Sequence, residues 1–321
     1  MEPLLSIIIP MYNSERYIGR CIESLRGLHV RKEVIVVDDG STDRSCDIAR
    51  KYVSNGEIKF FHQENHGVSA ARNLGLDKCS GDVVAFVDSD DFIISDCFQS
   101  MYNNFTSSEA EMAMGGVKII FADQHTEARQ ACSEMAGRLW KGDDCFAKLM
   151  QTNTFTPLVF GYMYKKAFLD RVKLRFRHRM SEDDLWTSIA MCEARHVQLT
   201  NGFHYVYCKN ADSITGTNVA TIFRANNHLA VANDLYDYLC NHKLSERAEA
   251  WLCCKILYIA SIAVKIYTNN GYYMFSLSLE MFKDLFSRVI HAHDEYARKV
   301  GLMFGGRLID ALKSIYATSR P

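Results

Sequence analysis

The chain carries 11 cysteines, an odd number, and not one Cys-x-x-Cys pair. Without a secretory leader, these read as reduced, mostly buried thiols of a cytosolic protein and not as a disulfide framework. Its 11 histidines show no HExxH or other ligand spacing, which argues against a catalytic zinc. No GxGxxG follows the first apolar run and no GxxxxGK[ST] occurs anywhere, so dinucleotide-fingerprint and P-loop readings lose their support. The formal net charge of −1 argues against a globally basic nucleic-acid binder, and no nucleic-acid partner is expected. Long apolar runs are missing too. The start, "MEPLLSIIIPMYN", lacks a basic n-region and its apolar stretch is short for a signal peptide. Lys255 and Lys265 limit the most lipid-like segment, residues 256–264, to nine residues, against about 20 for a spanning helix. The expectation is a soluble, cytoplasmic protein, at most peripheral to a membrane. There is no internal repeat and no low-complexity tract.

What is present is an ordinary folded composition: 48% apolar and 23% charged over 321 residues, enough for two domains. Apolar, β-branched runs at 5–10, 33–37, 58–63 and 83–87 alternate with amphipathic stretches at 16–25, 45–52 and 68–78. Strands that read as continuous apolar runs, with helices between them, imply a parallel sheet covered on both faces. In such a right-handed α/β sheet the loops after the strands emerge at one carboxyl edge, where ligands bind. "PMYN", "DDGSTD", "ENHG" and "DSDD" are therefore expected on one rim. Residues 92–160 are less legible. A short helix is expected at "KKAFLDRV", and beyond about Ile214 the spacing is wholly helical. The expected division is a catalytic domain over 1–218 and a helical region over 219–321.

Three acidic clusters carry the chemistry. In "VVDDGSTD", Ser41 or Thr42 is expected to cap a helix with Asp43 favoured by its dipole, which leaves Asp38 and Asp39 at the sheet edge unexplained. Such a carboxylate accepts from a nucleobase or a ribose hydroxyl. In "DSDD", Asp88 and Asp90 can face a common point and offer oxygens to Mg²⁺ or Mn²⁺, while Asp91 is the ambiguous acid, a cap or a supporting partner. In "SEDDLW", Ser181 and Asp184 match a capping box, and Glu182 or Asp183 is either dipole-favoured or a general base. A fourth pattern is cationic: Arg171, Lys173, Arg175, Arg177 and Arg179 recur at every second position, as on a strand with one basic face. That face is either a protected sheet edge or a surface for an anionic acceptor or phospholipid head groups. Cys253-Cys254 and Trp251 read as packing.

The ordered segments "SIIIPMYNSERYIGRCIESL", "EVIVVDDGSTDRSCDIA", "NHGVSAARNLGLDKCSGDVVAFVDSDD", "SEDDLW" and "NADSIT" resemble glycosyltransferase family 2 over roughly residues 4–218. The similarity is greatest to bacterial members that build capsule, O-antigen or exopolysaccharide. The resemblance implies an α/β GT-A fold, a Rossmann-like sandwich with a mainly parallel central sheet, followed here by the C-terminal helical extension. It implies Pro10, Tyr12 and Asn13 in the nucleotide pocket, with Tyr12 against the base. Asp39 would bond the base, and Arg72 with Asn73 would close the donor-site wall. In the DxD-type motif, Asp88 would contact the ribose or sugar side and Asp90 would hold the divalent cation, Mg²⁺ or Mn²⁺, on the diphosphate. Asp183 matches the family's base, with Glu182 beside it. The implied reaction is inverting transfer from a nucleoside-diphosphate sugar, UDP by default, to a glycan or lipid-linked acceptor. "SLRGLHVRKE" departs from the family's usual Gln-containing run after the first helix, and the helical tail lies outside the resemblance. The tail is expected to pack or to self-associate, as in a homodimer.

Two rivals stand beside this reading. A sugar nucleotidyltransferase should show a Gly-rich, basic loop after the first strand, and "PMYNSERY" is neither Gly-rich nor basic beyond Arg16. A non-catalytic nucleotide-sugar-binding scaffold should have lost carboxylates, and all three clusters are intact.

Overall fold

Seven consecutive buried residues, Leu5–Met11, form strand β1, and their β-branched side chains pack on both faces of the sheet. The structure is a computed structural model and describes residues 2–130, 133–178, 180–209, 222–270 and 278–318. The chain separates into two compact units. The first comprises Met1–Gly142, Thr156–Arg179 and Glu193–Thr217, and the second Asp143–Phe155, Met180–Cys192 and Asn218–Pro321.

In the first unit, β1 lies between β2 (Lys32–Asp39) and β4 (Val83–Phe86), parallel to both. β3 (Lys59–Gln63) extends the parallel half beyond β2. Beyond β4, β9 (Tyr162–Lys165) runs antiparallel between β4 and β6 (Met112–Phe121), and β10 (Val197–Lys209) lies parallel to β6. Three short strands complete the ten-stranded sheet: β5 (Phe92–Ile93), β7 (Thr126–Arg129) and β8 (Leu139–Trp140). The mixed α/β architecture therefore keeps its parallel order where the four expected loops emerge.

Side chains alternate across the strands. Ile7, Ile9, Val34 and Val36 join the core that includes α1 (Ile18–Ser24) and α4 (Ser95–Thr106). Ile35 and Val37 point the other way, to Ala71 of α3 (Val68–Lys78). Gly75 lets α3 lie flat on β1, since a Cβ there would stand 2.3 Å from Ile8 Cγ2. Helix α2 (Ser45–Ser54) connects β2 to β3.

The cationic stripe is not a strand. Lys166–Val172 is helix α6, Lys173 ends it in the left-handed region at φ 50°, and residues 174–178 have no strand partner. Leu174 and Phe176 are buried, so the alternation of exposure is real, but the bonds come from a side chain. Asn73 donates to the Phe176 carbonyl and accepts from its N–H, both at 2.9 Å, so one amide side chain takes the place of a neighbouring strand. The charges are also spent locally: Arg171 pairs with Glu111 at 2.7 Å and Arg175 with Asp77 at 3.3 Å. Arg179 lies outside the described residues.

The described part of the second unit is helical: α5 (Gly142–Gln151), α7 (Glu182–Glu193), α8 (Ile222–Asn241), α9 (Glu246–Asn269), α10 (Leu279–Ile290) and α11 (Glu295–Thr318). Ser245 caps α9 by accepting from Ala248 N–H, while its own N–H donates to Asp143 at 2.9 Å. By length and composition α9 is apolar enough to cross a membrane, yet most of it is buried in protein, as in a core helix. Cys253 and Cys254 are fully buried there, as expected of packing residues, and burial pushes the Cys254 thiol up to about 12. Gly301 of α11 is a close-approach position: a Cβ would stand 2.4 Å from Val289.

Candidate active site

At the end of β1, Pro10 is buried opposite Val37, one step inside the rim. Tyr12 follows with 47% of its surface exposed, an aromatic face held at a strand end and open to solvent. Asn13 takes a left-handed φ of 47°, a conformation that Asn adopts more readily than most residues. Its side chain accepts from Thr42 N–H at 2.9 Å, and its own N–H donates to Ser41 Oγ at 3.0 Å. Ser14 reaches the start of α2 and one further loop: its N–H donates to Ser45 Oγ at 2.7 Å, and its hydroxyl lies 2.7 Å from that of Ser89 after β4. The loops after β1, β2 and β4 are thus laced into one polar rim. Ser14 and Ser89 had no signal in the sequence, because each matters only through a partner in another loop.

The helix cap after β2 differs from expectation. Neither Ser41 nor Thr42 caps α2, whose preceding residue is Arg44. Asp43 instead accepts from Ser45 N–H at 2.9 Å and Glu15 N–H at 3.0 Å. Burial opposes its ionisation, but these bonds and the Ser45 hydroxyl outweigh burial and hold the carboxyl below its usual range. Ser41 and Thr42 face Asn13, so their side chain and backbone serve the loop junction.

Asp39 is buried and accepts three hydrogen bonds, from Gln63 at 2.7 Å, His66 N–H at 2.9 Å and Gly67 N–H at 2.8 Å. It therefore fixes the loop after β3 beside the end of β2. A carboxylate offers about four acceptor sites, so one remains for a ligand donor. Gly40 allows the approach: its φ is 77°, and a Cβ would stand 2.9 Å from Asn65 N. Asp38 points elsewhere. It accepts from Ser41 N–H at 3.2 Å and lies 2.7 Å from His62 Nδ1. Burial raises its pKa, but bonds from Ser41, His62 and Cys46 prevail and lower it.

The three acids after β4 have separate positions. Asp91 is fully buried and accepts from Tyr205 Oη at 2.8 Å and Cys208 N–H at 2.7 Å, both on β10. Burial first, then the charges of Asp90 and Asp88, push its carboxyl well above the usual range. Asp91 thus ties the turn to the sheet, and its resistance to ionising relieves part of the crowding of like charges. Asp88 and Asp90 remain half-buried. Asp88 accepts from Arg72 at 2.9 Å, and Arg20 donates to the Asp90 backbone carbonyl at 2.6 Å. Two accessible carboxylates offering only oxygen fit a hard cation such as Mg²⁺ or Mn²⁺, which keeps most of its waters.

Arg72 and Asn73 sit side by side on α3 with different tasks. Arg72 is buried, pairs with Asp88, and lies with its guanidinium 5.3 Å from the Phe176 ring centroid. Asn73 holds the Phe176 backbone, and Ser69 donates to the His178 carbonyl. One helix therefore orients the acidic turn and fastens residues 176–178.

In the second unit, Glu182 and Asp183 open α7, with Glu182 buried and the Asp183 carbonyl accepting from Thr187 Oγ1 at 2.5 Å. The capping box does not form. The Ser181 hydroxyl lies 3.0 Å from His228 Nδ1, and Asp184 pairs with buried Lys255 at 2.6 Å. Lys255 was the stronger competitor, because a buried ammonium left unpaired costs more than an open cap. His178 and Ser181 each take a left-handed φ, 52° and 60°, a conformation uncommon for residues other than glycine. "NADSIT", residues 210–215, lies outside the described residues.

Residues 6–171, more than half of the chain, match the family described as Glycosyl transferase family 2. Uncharacterized glycosyltransferase EpsJ of Bacillus subtilis (strain 168) is 31% identical over 266 residues, which cover 76% of this chain and 77% of EpsJ. The crystal structure of S. aureus TarS 1–349 in complex with UDP-GlcNAc matches with a TM-score of 0.66 at 20% identity. That match covers 99% of this chain and 91% of the TarS chain. Mannosyltransferase PcManGT from Pyrobaculum calidifontis, in complex with GDP-Man and Mn²⁺, gives a TM-score of 0.55 at 17% identity, covering 100% of this chain and 89% of its own. At these identities the two structures speak for the fold, which is the GT-A fold expected from the motifs.

Proposed function

Because the chain belongs to glycosyl transferase family 2, we propose that it moves a sugar from a UDP-sugar to an acceptor hydroxyl with inversion at the anomeric carbon. The acceptor is a glycan or lipid-linked saccharide of a surface polysaccharide, and the reaction takes place in the cytoplasm or at the inner face of the membrane. One observation carries this reading: loops after three parallel strands are hydrogen-bonded into a rim that presents exposed Tyr12 and half-buried Asp88 and Asp90. The UDP-GlcNAc complex of TarS and the Mn²⁺ complex of PcManGT support a sugar-nucleotide donor and a divalent cation here.

Tyr12 stacks on the base, Asn13 and Asp39 fix the nucleoside, and Arg72 holds the Asp88 carboxylate in orientation. Asp88 and Asp90 hold the cation, which when bound neutralises charge on the diphosphate. Asp183, with Glu182 beside it, accepts the proton of the acceptor hydroxyl. The acceptor oxygen forms a bond to the anomeric carbon while the bond to the diphosphate oxygen breaks, and the electron pair leaves with UDP. A single displacement of this kind inverts the centre.

The test is a panel of nucleotide sugars with purified protein and Mn²⁺, scored by released nucleoside diphosphate. UDP release with one or more UDP-sugars supports the reading. Binding without turnover across the panel and a range of saccharide acceptors would turn it toward a non-catalytic scaffold.

A further inference from the structure

Asp38, Cys46 and His62 come from the end of β2, the first turn of α2 and from β3. A carboxylate oxygen, Sγ and a ring nitrogen of the three lie within 4.8 Å of one another, with His62 Nδ1 2.7 Å from Asp38 Oδ2. We propose that this trio is a second, thiolate-containing metal site, suited to Zn²⁺ and separate from the oxygen-only pair Asp88 and Asp90.

Four features of the corner support the assignment. The ligand types are the ones zinc takes, one sulfur, one imidazole nitrogen and one carboxylate oxygen. A tetrahedral zinc with bonds of about 2.0–2.3 Å holds its ligand atoms roughly 3.3–3.6 Å apart, so shifts on the order of an ångström complete the site. Asp38 is already fixed for the purpose: its other oxygen accepts from Ser41 N–H at 3.2 Å, the kind of outer hydrogen bond that orients a metal-bound carboxylate. The side-chain exposure rises from 0% at Asp38 to 58% at His62, which gives an ion a way in from solvent and leaves the fourth position to water.

The charges also close. Zn²⁺ against one carboxylate, one thiolate and a neutral imidazole is electroneutral, which suits a half-buried corner. On binding, the Cys46 S–H bond is replaced by S–Zn and its proton passes to solvent. His62 shifts its remaining proton to Nε2, which frees Nδ1 for the ion. The sequence concealed the trio because the spacings, 8 and 16 residues, follow the βαβ connection and match no local motif.

The experiment is titration of the full-length protein with Co²⁺, in the presence of excess Mg²⁺ to fill the oxygen-only pair. A sulfur-to-cobalt charge-transfer band at one equivalent, bleached by Zn²⁺, is the expected result. Cys46→Ser should abolish the band, and His62→Gln should weaken Zn²⁺ binding by roughly 10- to 100-fold or more. An Asp88→Asn/Asp90→Asn variant should keep the band, which separates this site from the transferase reading. Absence of a thiolate band, or a band that survives Cys46→Ser, would overturn the proposal and leave the trio as a hydrogen-bonded corner.

Discussion

In the first unit Asp38, Asp39 and Asp91 are buried at strand ends, and each accepts backbone N–H groups from neighbouring loops or strands. In the second unit buried Asp143 also accepts a backbone N–H, from Ser245, but there the buried cation Lys255 is answered by a carboxylate, Asp184. The difference is physical. A backbone donor is fixed to the chain it belongs to, so an acid that takes one or two of them, as Asp91 and Asp39 do, fastens its own loop to another loop or strand. A lone ion pair fastens two helices and nothing else. Changes at the acids of the rim should therefore appear first in donor binding and rate, and changes at Lys255 in stability.

The largest effect is expected at the acid proposed as the general base. Asp183→Asn should lower turnover by roughly 10²- to 10⁴-fold, as loss of a general base does. Next comes the ion pair. Asp184→Asn strands a buried ammonium and should cost about 3 kcal/mol in urea unfolding, whereas Lys255→Met with Asp184→Leu should recover most of that loss. If the single and double variants are equally destabilised, the second unit does not depend on the pair.

His204 supplies a pH test of the first unit. It is buried, and burial lowers its pKa to about 4. The unfolded chain takes up a proton near pH 6.5 that the folded chain refuses. The contribution is thus fully present above that pH and lost as pH falls toward 4, amounting to about 3 kcal/mol at most. His204→Leu should flatten this acid limb even if it lowers the plateau. Asp91 gives the smallest effect. Asp91→Ala leaves the Cys208 N–H unpaired and should cost about 1–3 kcal/mol. Asp91→Asn should cost less, since its amide can accept from Cys208 and donate to Tyr205. Because the folded carboxyl is shifted up, its ionisation costs stability as pH rises from the ordinary Asp range through the raised value. The Asn variant should lack that slope.

The parallel half of the sheet was legible because β1, β2 and β4 are unbroken apolar runs, and β3 alternates with amphipathic helices. β6 and β10 were not. β6 reads "MAMGGVKIIF", and two adjacent glycines look like a breaker. They are there for the close approach of β10, since a Cβ at Gly115 would stand 2.4 Å from His204 Nδ1 and one at Gly116 2.8 Å from the Gly202 carbonyl. β10 itself shifts register between Leu199 and Tyr205, which scrambles its alternation. The role of Asp91 was hidden for the same reason, because its partners lie on that strand. Arg171 to Arg177 misled through a true alternation of exposure whose partner is the side chain of Asn73, and side-chain pairing leaves no periodic trace. The acids of the rim could be named from sequence, while the partners that fix them could not.

The most direct test of the account is one paired measurement on the wild type and Asp183→Asn: UDP affinity by calorimetry with Mn²⁺, beside UDP release from a UDP-sugar in the presence of acceptor. The account expects equal affinity for UDP in both proteins and release by the wild type alone. Equal release by both would contradict it.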